Sequence, residues 1–171
     1  MDQPVSFASN HSFLRPACLD LNGELETEVT NKTLCIGTGF GLSKAPPNHN
    51  RSLVPSEIAY LYPLMFRNVL RELRLKLDNH QNCRNLFKIL KVTEKQFCMA
   101  SKNEHNYAYN GDSGGPLQCH ISGKWIQVGV MWGGSPRISI FQKIYKYADF
   151  IERISGYKLI QDCASLNSVF K

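Results

Sequence analysis

Apolar and polar residues alternate most strictly at "ELRLKLD", residues 72–78. Leu73, Leu75 and Leu77 fall on one side and Arg74 and Lys76 on the other, which predicts a strand with one buried face. "GPLQCHI" and "KWIQVGVMW" are apolar-rich runs joined by Ser122-Gly123, and predict a β-hairpin. "TLCIGTGFG" (33–41) reads as a short apolar strand ending in a glycine turn, and "ISIFQKI" as another strand. "NLFKILKVTEKQFCMA" reads as a helical turn followed by a strand that ends near Cys98. In "YKYADFIERIS" (145–155) the period changes. Tyr147, Phe150, Ile151 and Ile154 share a helical face, and Gly156 is a stop signal. "EIAYLYPLMFRNVL" (57–70) is apolar but interrupted by Pro63, and fits a short helix or a packed loop. Residues 42–56 carry three prolines and read as a surface loop. Residues 1–30 read as an extended leading segment and 158–171 as a tail of unassigned role. Without repeats or low-complexity tracts, short antiparallel strands followed by one helix predict a small closed β-barrel.

Composition narrows the class. With 43% hydrophobic and 20% charged residues the chain is globular rather than disordered. The net charge is +6, but the densest basic group (Arg67, Arg71, Arg74, Lys76, Arg84 and Lys88) is interleaved with apolar positions. That spacing fits a solvated face better than a nucleic-acid or heparin patch, and no nucleic-acid partner is expected. No run of about 18 apolar residues exists for a membrane-spanning helix, so no membrane association is expected.

The six cysteines are Cys18, Cys35, Cys83, Cys98, Cys119 and Cys163. They form no C-x-x-C pair, and no histidine lies at zinc-ligand spacing from two of them. Disulfides are therefore favoured over metal, and no metal site or cofactor is expected. Three sequons, at Asn10, Asn31 and Asn50, are candidate glycosylation sites and point weakly the same way. Cysteines and sequons describe a secreted, extracellular lineage. "MDQPVSFASNHSFLRPACLD" nevertheless has neither the basic nor the apolar region of a signal peptide, so it leaves the chain's own location open.

The candidate chemistry lies at "NGDSGGPLQC", residues 110–119. Glycines on both sides of Ser113 allow a tight turn with free amides. Those of Gly111 and Ser113 can point at one spot and stabilise an oxyanion. A serine hydroxyl attacks nothing, however, unless a base takes its proton.

Gly111-Asp112-Ser113-Gly114-Gly115-Pro116 resembles the nucleophile motif of the trypsin/chymotrypsin family of serine proteases. "SFLRPACL" resembles the segment leading from that family's first barrel to its second. "CIGTGFG" resembles the strand opening the second barrel, with Phe40 where a tryptophan is usual. "LRELRLKLDNHQNC" resembles the strand and turn before a family disulfide, "WIQVGVMWGG" the wall of the specificity pocket, and "FQKIYKYADFI" the last strand and C-terminal helix. The resemblance covers roughly residues 3 to 157. It implies an all-β fold: the second six-stranded antiparallel barrel of the chymotrypsin-like fold over 31–157, with a C-terminal α-helix and the first barrel missing. It also implies disulfides Cys35–Cys119 and Cys83–Cys98. Cys18 matches a position that bridges to a propeptide in relatives, and its pairing and that of Cys163 stay open.

The same resemblance assigns Ser113 as nucleophile and Gly111 to the oxyanion hole. Asp112 takes the position that pairs with a new N-terminus on activation. Tyr107, Trp132, Gly133 and Ser139 fall at specificity-pocket positions. Tyr107 stands where an aspartate sets basic specificity, Tyr109 replaces a pocket cysteine, Ser139 replaces a glycine, and Met131 a serine. These changes imply a narrowed pocket. The family's histidine and aspartate would fall before Met1. None of His11, His49, His80, His105 and His120 takes an alignable base position, and all five read as surface or loop histidines. The expectation is a serine endopeptidase homologue, with protein or peptide substrates by lineage, that is inactive as this chain. The alternatives are a non-catalytic module with a protein partner at its exposed barrel face, and an unstable truncated product of a longer secreted protease.

Overall fold

In β2, Arg71–Leu77, the alternation becomes structure: Leu75 is fully buried, Leu73 and Leu77 are half-buried, and Arg74 and Lys76 are exposed. The computed structural model describes residues 17–41, 69–88, 91–103, 106–156 and 158–159. The predicted loop over 42–56 and the apolar stretch up to residue 68 lie outside them. The other elements are β1 (Cys35–Gly39), α1 (His80–Leu86), β3 (Gln96–Ser101), β4 (Pro116–Ile121), β5 (Lys124–Ser135), β6 (Ile138–Lys143) and α2 (Ala148–Ser155).

The six strands close into one antiparallel barrel in the order β1-β2-β3-β6-β5-β4. The expected fold is therefore present: a six-stranded barrel with a short C-terminal helix. The β4–β5 connection is the two-residue turn expected from Ser122-Gly123. Both residues take positive φ, 49° and 79°, which matches the twist of the strands they join.

Leu75, Phe97, Met99, Leu117, Val128 and Phe141 pack inside the barrel with Cys35 and Cys119. A second, smaller cluster joins Cys83 and Val92 to Cys98, Ile138 and Ile140. β3 and β6 are thus covered on both sides, which explains why Gln96–Met99 and Ile138–Phe141 are continuously buried, Gln96 and Ser139 included, rather than alternating.

Both expected disulfides form. Cys35–Cys119 links directly paired residues of β1 and β4 across 84 residues of sequence. Cys83–Cys98 ties α1 to β3 across 15. Cys18 is also disulfide-bonded, and no described cysteine is free. Cys163 lies outside the described residues.

Two boundaries differ from the sequence reading. The helical turn expected within 85–100 is α1, which begins earlier, at His80. The Asn79 side chain caps it by accepting from the Gln81 amide at 2.8 Å, and Cys83 is its one buried residue. A helix anchored by a single cysteine has no apolar period to read. β3 continues past Cys98 to Ser101, because Met99 and Ala100 still pair with Ser139 and Ile138 of β6. α2 ends as expected at Gly156, whose φ of 73° lets its amide reach Glu152 O at 2.9 Å. The apolar face of α2 is not buried: Phe150 and Ile154 are exposed.

The leading segment is fastened to β5 and β6. Leu19 bridges Gln127 in parallel, and the Gln127 amide donates to Cys18 O at 2.8 Å. A 3-10 turn at Glu26–Glu28 then places Glu26 against the end of β6. There the Lys143 ammonium and the Tyr145 hydroxyl both donate to its carboxylate. Lys143 itself is buried, with its ammonium 5.0 Å from the centre of the Phe97 ring. Burial pushes the Glu26 carboxyl up, but the bonds from Lys143 and Tyr145 and the charges of Lys143 and Lys146 outweigh it and leave it below its ordinary value. Asp20 goes the other way. It is 1% exposed, and burial raises it despite hydrogen bonds from the Gly23 and Leu25 amides.

Candidate active site

The loop leading into β4 is shaped by its own backbone. Gly111 and Gly114 sit at φ 95° and 82°, conformations that other residues rarely adopt. The Asp112 amide donates to Tyr109 O, the Gly115 amide to Asp112 O and the Gly114 amide to Met131 O of β5, each at 3.0 Å. The Met131 amide donates back to Gly115 O at 2.7 Å. Among the described residues, the amides of Gly111 and Ser113 alone in this run donate to no protein acceptor. Ser113 is exposed, and no described group hydrogen-bonds its hydroxyl.

Asp112 is half-buried and bonded on both oxygens. Oδ1 accepts from the Gly41 amide and Oδ2 from the Tyr109 amide, each at 2.9 Å. Two glycines of the "GFG" turn make room for this. A Cβ at Gly39 would lie 2.1 Å from Asp112 Oδ1, and one at Gly41 2.4 Å from it. The carboxylate also lines a cavity of about 320 Å³, together with Thr38, Glu72, Tyr107, Ala108 and Met131 among others. That volume falls in the range that holds a small ligand, about 300–1,000 Å³. A carboxylate in such a wall can accept a charge-assisted hydrogen bond from a cation. The Glu72 carboxylate, by contrast, is already taken by Arg74 at 2.8 Å.

The four pocket positions separate. Tyr107 is half-buried, lines the cavity with Asp112, and meets the Tyr109 ring edge-on at 5.5 Å between centres. Ser139 is fully buried, and its hydroxyl accepts from the Ala108 amide at 3.3 Å. Trp132 is exposed at a register slip between Met131 and Gly133, where it has no partner on β6. Neither Trp132, Gly133 nor Ser139 lines the cavity. The β5 backbone also abuts the loop: a Cβ on Gly134 would lie 2.1 Å from Ala108 O.

Of the histidines, His80 bonds Thr93 O at 2.8 Å through Nε2, and His120 rests 5.2 Å from the Trp125 ring. Neither described imidazole hydrogen-bonds Ser113. His11, His49 and His105 lie outside the described residues, as do Asn10 and Asn50. Among the described residues no group of three His, Cys, Asp or Glu side chains could hold a metal ion, and no helix is long and apolar enough to cross a membrane.

Sequence reasoning missed the two amides that hold Asp112 and the glycines that admit it. The signal was present in Gly39-Phe40-Gly41, two glycines one residue apart, but their target is 71 residues away.

A closed antiparallel barrel that presents a Gly-Asp-Ser-Gly-Gly loop beside β5 has the architecture of a chymotrypsin-like serine protease barrel. The chain belongs to the trypsin family, whose sequence profile matches residues 12–151. It is 27% identical to human (Homo sapiens) testisin over 163 residues, 90% of this chain and 45% of that protein. It is 25% identical to human serine protease 41 over 167 residues, again 90% of this chain and 46% of that protein. With mouse (Mus musculus) cathepsin G it shares 33% identity over 87 residues, 50% of this chain and 32% of that protein. The chain thus spans less than half the length of the curated relatives it matches.

Proposed function

We propose that this chain is the nucleophile-bearing barrel of a serine endopeptidase homologue, and that the 171-residue polypeptide by itself hydrolyses no peptide bonds. Ser113 takes the nucleophile position, the Gly111 and Ser113 amides the oxyanion hole, and Asp112 the position that receives a cationic N-terminus from the adjoining cavity. The observation that carries this reading is the alternation of used and unused amides from Gly111 to Gly115. Three donors hold the loop's shape while the two flanking Asp112 stay available to a developing negative charge.

Inactivity rests on the other half of the chemistry. Attack requires an imidazole to accept the serine proton and a carboxylate to orient it. The described histidines are engaged elsewhere, at Thr93 and Trp125. Substrates by lineage are proteins or peptides. The close approach of Gly134 to Ala108 O and the burial of Ser139 favour a specificity pocket too narrow for a large side chain. The disulfides favour an oxidising, extracellular location.

The test is labelling of the oxidised chain by a fluorophosphonate probe, alongside Ser113→Ala. Labelling no faster than that of the Ser113→Ala chain is expected. Ser113-dependent labelling at rates typical of proteases would overturn the inactive reading.

A further inference from the structure

We infer that Asn31 carries an N-linked oligosaccharide whose first sugars cover an apolar strip on the outside of the barrel. Asn31-Lys32-Thr33 is a sequon, and Asn31 is exposed on the turn between the Glu26–Glu28 segment and β1. The hydrogen bonds of that turn run through its neighbours. The Thr30 amide donates to Thr33 Oγ1 at 3.0 Å, the Lys32 amide to Thr30 Oγ1 at 3.2 Å, and the Thr33 hydroxyl to Glu28 O at 2.6 Å. The turn therefore accounts for the two threonines and for nothing on the Asn31 side chain, whose carboxamide bonds no described group. The two described disulfides require an oxidising compartment, where this modification also takes place.

What the sugar would cover lies next to it. Leu34 (just before β1), His120 of β4 and Trp125 of β5 form a row. The His120 amide donates to Leu34 O at 2.8 Å, and His120 pairs with Trp125 across β4 and β5 with ring centres 5.2 Å apart. Leu34 is 45% and Trp125 44% exposed. A hydrogen bond from Ser122 to Glu28, at 3.3 Å, ties the hairpin turn to the segment before Asn31, so both sit at one end of the barrel. Asn31 is three residues from Leu34, a chain reach of at most about 10 Å. The flat carbon face of a hexosamine packs on exposed indole and aliphatic surface, and removes it from water.

The experiment expresses the full chain through a eukaryotic secretory pathway. Disulfide-intact protein is then treated with peptide N-glycosidase in ¹⁸O-water and its peptides are weighed. The expected result is isotopically marked conversion of Asn31 to aspartate, and loss of the corresponding mass from the intact chain in Asn31→Gln. Recovery of the Asn31 peptide wholly unmodified from protein with both disulfides formed overturns the site. Covering is tested on Trp132→Phe protein, which leaves Trp125 as the one indole. Acrylamide quenching of its fluorescence should rise after the sugar is removed from folded protein. An unchanged quenching constant overturns the covering.

Discussion

Two aspartates in this barrel are held by backbone amides and differ in what lies beyond them. Asp20 accepts from the Gly23 amide at 3.0 Å and is sealed, with the Tyr145 ring packed over Gly23. Asp112 accepts from the Gly41 and Tyr109 amides and opens on a cavity of about 320 Å³. Amide donors stabilise a carboxylate in both places. Burial without a counter-charge raises Asp20 above its ordinary value. The difference is that one arrangement fastens a segment in the interior, whereas the other holds a carboxylate in the wall of an open cavity.

The comparison can be broken most severely at the Cys35–Cys119 bridge. It closes a loop of 84 residues and joins β1, which carries the "GFG" turn, to β4, which follows Ser113. Replacing both cysteines by alanine should destabilise the barrel by about 4–5 kcal/mol, against about 3 kcal/mol for the shorter Cys83–Cys98 loop. Urea unfolding measures both. Hydrogen exchange should show greater loss of protection at Gly41 and Tyr109 than at Gly23.

Next in size is Gly41→Ala. Its Cβ would displace the Asp112 carboxylate from two amides and leave buried donors unmet, at a cost of about 2–3 kcal/mol. A thermal midpoint equal to that of the unmodified chain would show that the carboxylate is not held where the structure places it.

Glu26→Ala strands the buried Lys143 ammonium. The loss should be about 2 kcal/mol at neutral pH, below the full value for a buried pair because Glu26 is partly exposed. The smallest effects are in pH dependence. A lowered Glu26 contributes stability that is present above its unfolded pKa, near 4.5, and is lost as pH falls through the folded value. A raised Asp20 contributes stability that is fully present below about 3.8 and is lost as pH rises through its folded value. Asp20→Asn should therefore raise the thermal midpoint relative to the unmodified chain as pH climbs from 3.8 to 7. Glu26→Gln should lower it at pH 7 and match it in acid.

What the sequence disclosed was local. The alternation at Leu73, Leu75 and Leu77, the Ser122-Gly123 turn and the Gly156 stop each depend on neighbours a few residues away. The Gly-Asp-Ser-Gly-Gly loop stood out because its glycines, aspartate and serine are contiguous. The cavity was not, since Thr38, Glu72 and Tyr107 reach it from three separate segments. α1 was misplaced because polar residues surround its lone buried cysteine. The period put Phe150 and Ile154 on one helical face, but it could not tell that this face would remain exposed.

Ring closure has a consequence for how this barrel meets other molecules. Each of the six described strands has a neighbour on both margins, with Arg71–Arg74 of β2, which pair with β1 and not with β3, left as an open stretch. Such a ring leaves less margin for adding strand to strand, the usual hazard of an open sheet, than two free edges would. The outward Phe150 and Ile154 of α2 add an apolar side-chain surface through which association can also run.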